Sequence, residues 1–415
     1  MLRERSLLII LGLITLLSRL PFLFAGYGSE DDSWGLVLNA QKMAESGEYS
    51  FSRLPGHPVQ EYVLMLMPDA GPVWMNLLSA LFGVLAVLAF AQILRFHRIR
   101  NWFLWSLVFA SITIIWISST YTIDYVWALA FITLAWYMVL RGAMIPAGVL
   151  IGLAIGCRIT SGAVLVGLIY IAIQSGKKSY RSVFYLGFCS LMISAICYLP
   201  AYFQYGISFF DTYRLPYPSI PKVIYKASFG VWGFTGLLAL LFLMVFRYRK
   251  RKVHPIVSYG DTGLLLNVLL YFIAFLVLPQ KSAFWIPAIP FLLLWLLKQN
   301  LSDKMVYLLS ALFLISPFSF GFNLSNQERG AKFSSLAWVK NIAGQEVFFD
   351  PLTGPLQIEQ SRRMNRQTYV DAAVQAACQL NESDLILCGW WTNQFTVECQ
   401  KQPGCKVQIA EFYNQ

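Results

Sequence analysis

Over its first three-quarters the chain alternates long apolar runs with short polar connectors. The runs occupy roughly residues 6–26, 71–94, 102–120, 124–140, 145–157, 160–174, 182–203, 227–246, 260–278, 283–297 and 305–322. An α-helix needs about 20 apolar residues to cross a bilayer, and fewer where it is broken or re-entrant. The pattern therefore predicts an all-α polytopic membrane bundle of about eleven transmembrane helices over residues 1–322. Two stretches depart from it. In 27–70, "EDDSWGLVLNAQKMAESGEYSFSRLPGHPVQEY" places apolar Leu36, Val37, Ala40, Met43 and Ala44 at helical spacing after Asp32. Asn39, Gln41, Lys42 and Glu45 take the other face, and Gly47 ends the pattern. This predicts an amphipathic helix starting at "SEDD" and lying flat in the membrane interface. In 323–415 the hydropathy falls: "QEVFFDP" and "SDLILCGWW" read as strands and "TYVDAAVQAACQL" as a helix. A small extracytoplasmic α/β domain of about 90 residues is expected there.

Composition agrees with a membrane chain. It is 57% hydrophobic and 13% charged, against about 25% charged in soluble domains. The net charge of +11 changes the picture only through its placement. Arg3, Arg5, Arg95, Arg98, Arg100, Arg141, Lys177, Lys178, Arg181, Arg247, Arg249, Lys250, Arg251, Lys252, Lys298 and Lys304 are half of the 32 basic residues, and all lie on alternate connectors. The positive-inside rule makes those connectors and the N-terminus cytoplasmic. The expected location is a multi-pass position in the plasma (inner) membrane, with 27–70 and the tail outside. The charge then serves topology and attraction to membrane lipids, and nucleic acid is not an expected partner. The first run has no small-x-small cleavage site and reads as a retained span. No Walker motif or strand-associated G-x-G-x-x-G is present, so no nucleotide cradle is expected. Four of the seven cysteines, Cys378, Cys388, Cys399 and Cys405, lie in the tail. An oxidising exterior permits disulfides there, with three pairings open. Cys157, Cys189 and Cys197 fall in spans and read as packing residues.

The densest acidic cluster, Glu30, Asp31 and Asp32, follows the first span directly. A helix start needs one acid for its cap and dipole; three exceed that. A carboxylate at the membrane surface can instead take the proton of an acceptor hydroxyl. Nucleotide sugars are not supplied outside the cell, so an activated donor there must be anchored in the bilayer. An enzyme using it needs a base, cations for the leaving phosphate and an apolar groove.

On these residues the chain resembles the GT-C superfamily of polyprenyl-phosphate-sugar glycosyltransferases, which includes protein mannosyltransferases and aminoarabinose transferases. The matching features are an acidic pair opening the first outer loop, the helix "DDSWGLVLNA", the segment "LPQKSAFWIPAIPFLLL" and the Gly-rich pair "AGVLIGLAIGCRITSGAVLV" interrupted by one basic residue. The resemblance covers roughly residues 1–320. It implies an inverting transfer from a polyprenyl-phosphate-linked sugar to a glycan, lipid or protein acceptor on the extracytoplasmic side, with no cofactor. Asp31 and Asp32 are the candidate bases, Asp32 preferred because it adjoins the helix.

Other residues join the candidate site as substrate-binding groups: Glu30, Arg53, His57, Glu61, Asp124, Arg158 and Lys281. Arg158 interrupts an apolar stretch, where a charge is costly. It reads either as a snorkelling residue at a tight turn or as a guanidinium anchor for the donor phosphate. Lys281 reads as an interfacial anchor or a second cation on that phosphate. Arg53, His57 and Glu61 recur at intervals of four, but Pro55 and Pro58 exclude one continuous helix. They read as an ordered loop or as a wall orienting sugar or acceptor. Asp124 reads as a helix cap or as a second carboxylate facing the loop. No metal is expected; the all-oxygen alternative is Asp31, Asp32 and Glu61. The rival function is a transporter or flippase for a lipid-linked glycan. Against it, no inverted repeat is evident and the polar load sits in outer loops.

Overall fold

The computed structural model describes residues 2–174, 180–210, 216–250, 261–324, 334–342, 344–381, 384–389 and 391–412. Lys177, Lys178, Arg251 and Lys252 of the charge pattern, and Trp390 of the expected second strand, lie outside the described residues.

The apolar runs form helices whose ends fall where polar residues and glycines intervene. They are α1 (Leu2–Leu17), α2 (Asp31–Ser46), α3 (Pro58–Met65), α4 (Gly71–Phe96), α5 (Trp102–Ser111), α6 (Thr113–Ser118), α7 (Tyr125–Arg141), α8 (Met144–Cys157) and α9 (Ala163–Gln174). The series continues with α10 (Tyr180–Tyr205), α11 (Ile220–Ala227), α12 (Phe229–Trp232), α13 (Phe234–Lys250), α14 (Thr262–Val277), α15 (Ile289–Leu297) and α16 (Asp303–Ile315). Among the described residues, Glu4–Phe22, Gly71–Phe96 and Tyr180–Ser208 are long and apolar enough to span a membrane; Ile220–Trp232 with Phe234–Arg249 adds a fourth if that bent pair is one span. Six further apolar helices have 10–17 residues. Helix length therefore does not establish eleven crossings.

Two expected spans are broken. The run 102–120 divides at Ile112, whose ψ of 125° is not helical. The run 227–246 bends by 92° at Gly233. That glycine has φ +67°, and a Cβ on it would lie 2.3 Å from Ser316 Oγ. Close approach also fixes α8 against α10: a Cβ on Gly152 would meet Ile193 Cβ at 2.5 Å. Small residues at this spacing let helix backbones approach closely.

Ion pairs bring alternate helix ends together. Arg95 at the end of α4 meets Glu4 in α1, and Arg100 meets Asp303 at the start of α16, at 2.8 Å. Arg247 of α13 and Lys298 after α15 share Asp261 at the start of α14, at 3.1 and 2.7 Å. These connectors form one end of the bundle, and 27–70 lies at the other. Exposed Ile9, Leu13 and Leu17 on α1 and Leu191 and Ile196 on α10 give the bundle an apolar exterior.

The tail forms β1 (Gly321–Asn323), β2 (Trp338–Ile342), β3 (Gln345–Asp350), α17 (Pro355–Ala377), β4 (Leu385–Cys388), α18 (Thr392–Gln400) and β5 (Gln408–Glu411). The antiparallel sheet runs β1-β3-β2; β4 and β5 pair in parallel. Both expected strands are present, but three details differ. The last apolar run stops at Ile315, and β1 straddles the expected boundary at 322 to pair with β3. The helix starts at Pro355, well before "TYVDAAVQAACQL", because polar residues on its early turns face the bundle. Trp391 leads into α18 instead of extending β4. Cys378 and Cys405 are disulfide-bonded, while Cys388 and Cys399 are free.

Candidate active site

The loop 27–70 is held from below and above. Arg363 of α17, 3% exposed, donates to the carbonyls of Phe22 (3.1 Å), Ala25 (2.8 Å) and Gly26 (2.9 Å). Arg366 donates to Ser29 O, and Tyr121 donates to Glu359 of α17. The tail thus completes the surroundings of the acidic cluster.

α2 begins at Asp31 and ends at Gly47, whose φ of +70° suits a left-handed helix terminus. Its apolar face does not lie bare at an interface. Leu36, Val37 and Ala40 are enclosed with Leu64 of α3, Met75 of α4 and Val397 of α18. Asn39, expected on the polar face, is buried; it donates to Ser50 O at 2.8 Å and accepts from Ser50 Oγ.

Each acid of the cluster goes to a different element. Glu30 occupies the N-cap position without a side-chain cap, and its carboxylate accepts from Lys281 Nζ at 2.5 Å. Asp31 turns toward the tail: Asn393 Nδ2 donates to it at 2.6 Å and the Gln394 N–H at 3.4 Å. Burial pushes the Asp31 acid up to about 6 despite these hydrogen bonds. Asp32 turns toward the bundle and accepts from both Arg53 and Lys281. Burial alone would raise its pKa, but those two cations hold it well below the usual carboxylate range.

Arg53 is the hinge of the network. It reaches Asp32 through Nη1, Asp124 Oδ1 through Nη2 at 2.6 Å, and His57 Nε2 through Nε at 2.8 Å. Since Arg can only donate, His57 Nε2 accepts, and Nδ1 carries the proton donated to Cys157 O at 2.6 Å. Burial lowers the His57 pKa to about 4, so the ring is neutral at pH 7. Asp124 precedes α7 but makes no side-chain cap; it is enclosed between Arg53 and Arg158. Arg158 follows α8 at a tight turn, as one expectation had it, yet it points inward. Its guanidinium lies 4.2 Å from the Tyr125 ring centroid.

Glu61 stands apart. Fully buried, it accepts from Tyr49 Oη (2.7 Å), Ser52 N (2.7 Å), Ser52 Oγ (2.8 Å) and His57 N (3.0 Å). It shapes the loop that presents Arg53 instead of lining an open wall. Gly56, at φ +95°, belongs to the same turn; a Cβ there would lie 2.6 Å from Tyr49 Oη. The trio Asp31, Asp32 and Glu61 does not converge, and no group of three or more His, Cys, Asp and Glu is gathered for a metal among the described residues.

The result is a mesh of three acids (Glu30, Asp32, Asp124) and three cations (Arg53, Arg158, Lys281). It is sealed at Asp124 and open at Asp32 and Lys281, whose side chains are 34% and 30% exposed. Asp31 stands beside the opening.

No family model matches the sequence, and no curated protein matches it. Solved structures do match in fold. ArnT from Cupriavidus metallidurans, an aminoarabinose transferase, superposes with TM-score 0.60 at 10% identity, over 95% of this chain and 85% of ArnT. The Archaeoglobus fulgidus oligosaccharyltransferase superposes with TM-score 0.56 at 12% identity, over 99% of this chain and 61% of its own. The same archaeal enzyme, AglB, in complex with an inhibitory peptide and a dolichol-phosphate, gives TM-score 0.52 at 11% identity. Both neighbours are GT-C proteins. The chain has the GT-C fold. Within this GT-C fold, sequence reasoning missed Asn393 and Gln394, which hold Asp31, and Glu359, Arg363 and Arg366, which dock the tail. The only signal was the spacing of Arg362, Arg363 and Arg366 along one helix.

Proposed function

We propose that the chain is an integral-membrane, inverting glycosyltransferase. It moves a sugar from a polyprenyl-phosphate donor to a glycan, lipid or protein acceptor on the extracytoplasmic side of the plasma membrane. The observation that carries this reading is the half-open mesh at the start of α2, where a carboxylate held only by neutral donors, Asp31, adjoins cations held in reserve by acids. The neighbour solved in complex with dolichol-phosphate supports the donor class.

In the reaction, the bond between the sugar's anomeric carbon and the phosphate oxygen breaks as the acceptor oxygen bonds that carbon. A single displacement inverts the centre. The phosphate leaves with the electron pair, and Lys281 and Arg53 stabilise its charge by exchanging Asp32 and Glu30 for it. Arg158 holds Asp124, which in turn aims Arg53. The acceptor proton passes to a carboxylate. Asp32, bound by two cations, is a weak base. Asp31 accepts only neutral hydrogen-bond donors, and its acid near 6 lies close to working pH, as an effective general base requires. The base role therefore moves from Asp32 to Asp31, with Asp32 positioning the cations.

Turnover of a polyprenyl-phosphate sugar by purified protein tests the reading. Asp31→Asn should lower the rate about 10²–10⁴-fold while donor binding persists; Asp32→Asn should weaken donor binding as well. Near-wild-type turnover by Asp31→Asn removes it as the base. Transport of an intact lipid-linked glycan across vesicles, with no cleavage of the sugar–phosphate bond, favours the flippase instead.

A further inference from the structure

The end of the bundle opposite the acidic mesh contains a cavity of about 380 Å³. Arg95, Arg98 and Arg141 line it together with Glu4, Trp102 and Tyr137. Glu4 is already engaged by Arg95. Arg98 and Arg141 have no carboxylate partner among the described residues, so the cavity carries an uncompensated charge of two cations. Its shape is set by an unusual turn. Between α4 and α5, both Arg98 (φ 55°) and Asn101 (φ 59°) adopt left-handed backbone, uncommon for residues with a side chain. Trp102 then opens α5, bringing the positive end of a ten-residue helix to the cavity wall.

The position adds a second constraint. The exposed apolar surface of α1, with Ile9 and Ile10, and exposed Phe96 at the end of α4 run up to this ring of charge. Apolar side chains give way to arginines, a tryptophan and a tyrosine, the composition of a bilayer's head-group level. Arginine forks match phosphate oxygens in geometry and charge.

We propose that this cavity is a phosphate-binding site for an anionic head group, filled by a phospholipid of the adjoining leaflet. Arg98 and Arg141 grip the phosphate, Tyr137 and Trp102 flank the glycerol region, and the acyl chains run along α1. The same chemistry accepts soluble phosphate, so the test separates the two sources. The proposal is independent of the transfer reaction.

Full-length protein in zwitterionic detergent, stripped of lipid, is titrated with phosphatidylglycerol, phosphatidylcholine or inorganic phosphate while thermal unfolding and lipid retention in native mass spectrometry are followed. Saturable stabilisation by phosphatidylglycerol and none by phosphatidylcholine is expected. The variant carrying Arg98→Gln and Arg141→Gln should bind phosphatidylglycerol about tenfold or more weakly. Lys340→Gln, on the distant tail sheet, should bind as wild type does. An undiminished response in the double variant, or equal responses to both lipids, overturns the site. A response to inorganic phosphate equal to that of the lipid keeps the phosphate site but removes the membrane as its source. If the double variant does not fold, wild-type protein decides: phosphatidylglycerol binding must weaken with added salt and be competed by pyrophosphate, and indifference to both refutes the proposal.

Discussion

The two ends of the bundle both gather acids and bases, in different surroundings. At the basic end Arg100 and Asp303 meet with side chains 74% and 44% exposed. At the acidic end Asp124 is fully enclosed between Arg53 and Arg158, whose side chains are 16% and 12% exposed. An exposed pair gains little over hydration and is screened by salt. An enclosed pair loses hydration on both sides, and removing one partner strands the other. The comparison teaches where the fold depends on charge. The basic end ties helix ends with exposed pairs such as Arg100–Asp303 beside an enclosed Asp261, 5% exposed, that Arg247 and Lys298 share. The acidic end needs its pairs intact, and opens them at Asp32, Glu30 and Lys281.

The comparison can be broken at several points. Asp124→Asn strands the enclosed Arg158, while Arg53 keeps Asp32, and should destabilise the protein by about 3–5 kcal/mol, read as a lowered unfolding midpoint in detergent. If the loss is no larger than at an exposed pair, the enclosed network is not what holds the loop. Cys378→Ser opens a bridge across 27 residues and should cost the tail about 3 kcal/mol. Because α17 and α18 hold the first loop, proteolysis of the tail and loss of turnover should rise together; unchanged turnover would separate the tail from the site. A smaller effect concerns pH. Asp31 must be deprotonated to act as base, and its acid lies near 6. The value of kcat/KM should therefore be flat above that pH and fall about tenfold per unit below it. The residual activity of Asp31→Asn should lack this acidic limb. Least of all, Arg100→Gln should change stability by about 1 kcal/mol or less, with an even smaller effect at high salt.

Much of the site was legible in local pattern. Asp31 and Gly47 mark the ends of α2, because an acid suits the positive end of a helix and glycine suits the left-handed residue after it. Arg158 and Lys281 stood out because a charge next to apolar spans needs a partner. Pro58 broke the spacing of Arg53, His57 and Glu61 as expected, and it opens α3. Asn39 was misplaced on the polar face, and the sequence left Glu61 between an ordered loop and a site wall, for one reason: their burial depends on Ser50, Tyr49 and Ser52, which return to them only once the loop has closed.

By itself, the sequence determined the apolar character of the bundle, the start and stop of α2, the identity of the charges near its spans and the strands of the tail. Those features follow from side chains interacting with solvent, with lipid or with residues within one or two helical turns. Tertiary structure alone decided that adjacent Asp31 and Asp32 face different partners, one neutral and one cationic. It also decided that Asp124 accepts two arginines instead of capping α7, and that the arginines of α17 close on the end of α1. These contacts join residues up to 363 positions apart. Their energies depend on how far each group is withdrawn from water, and only the packed chain sets that depth.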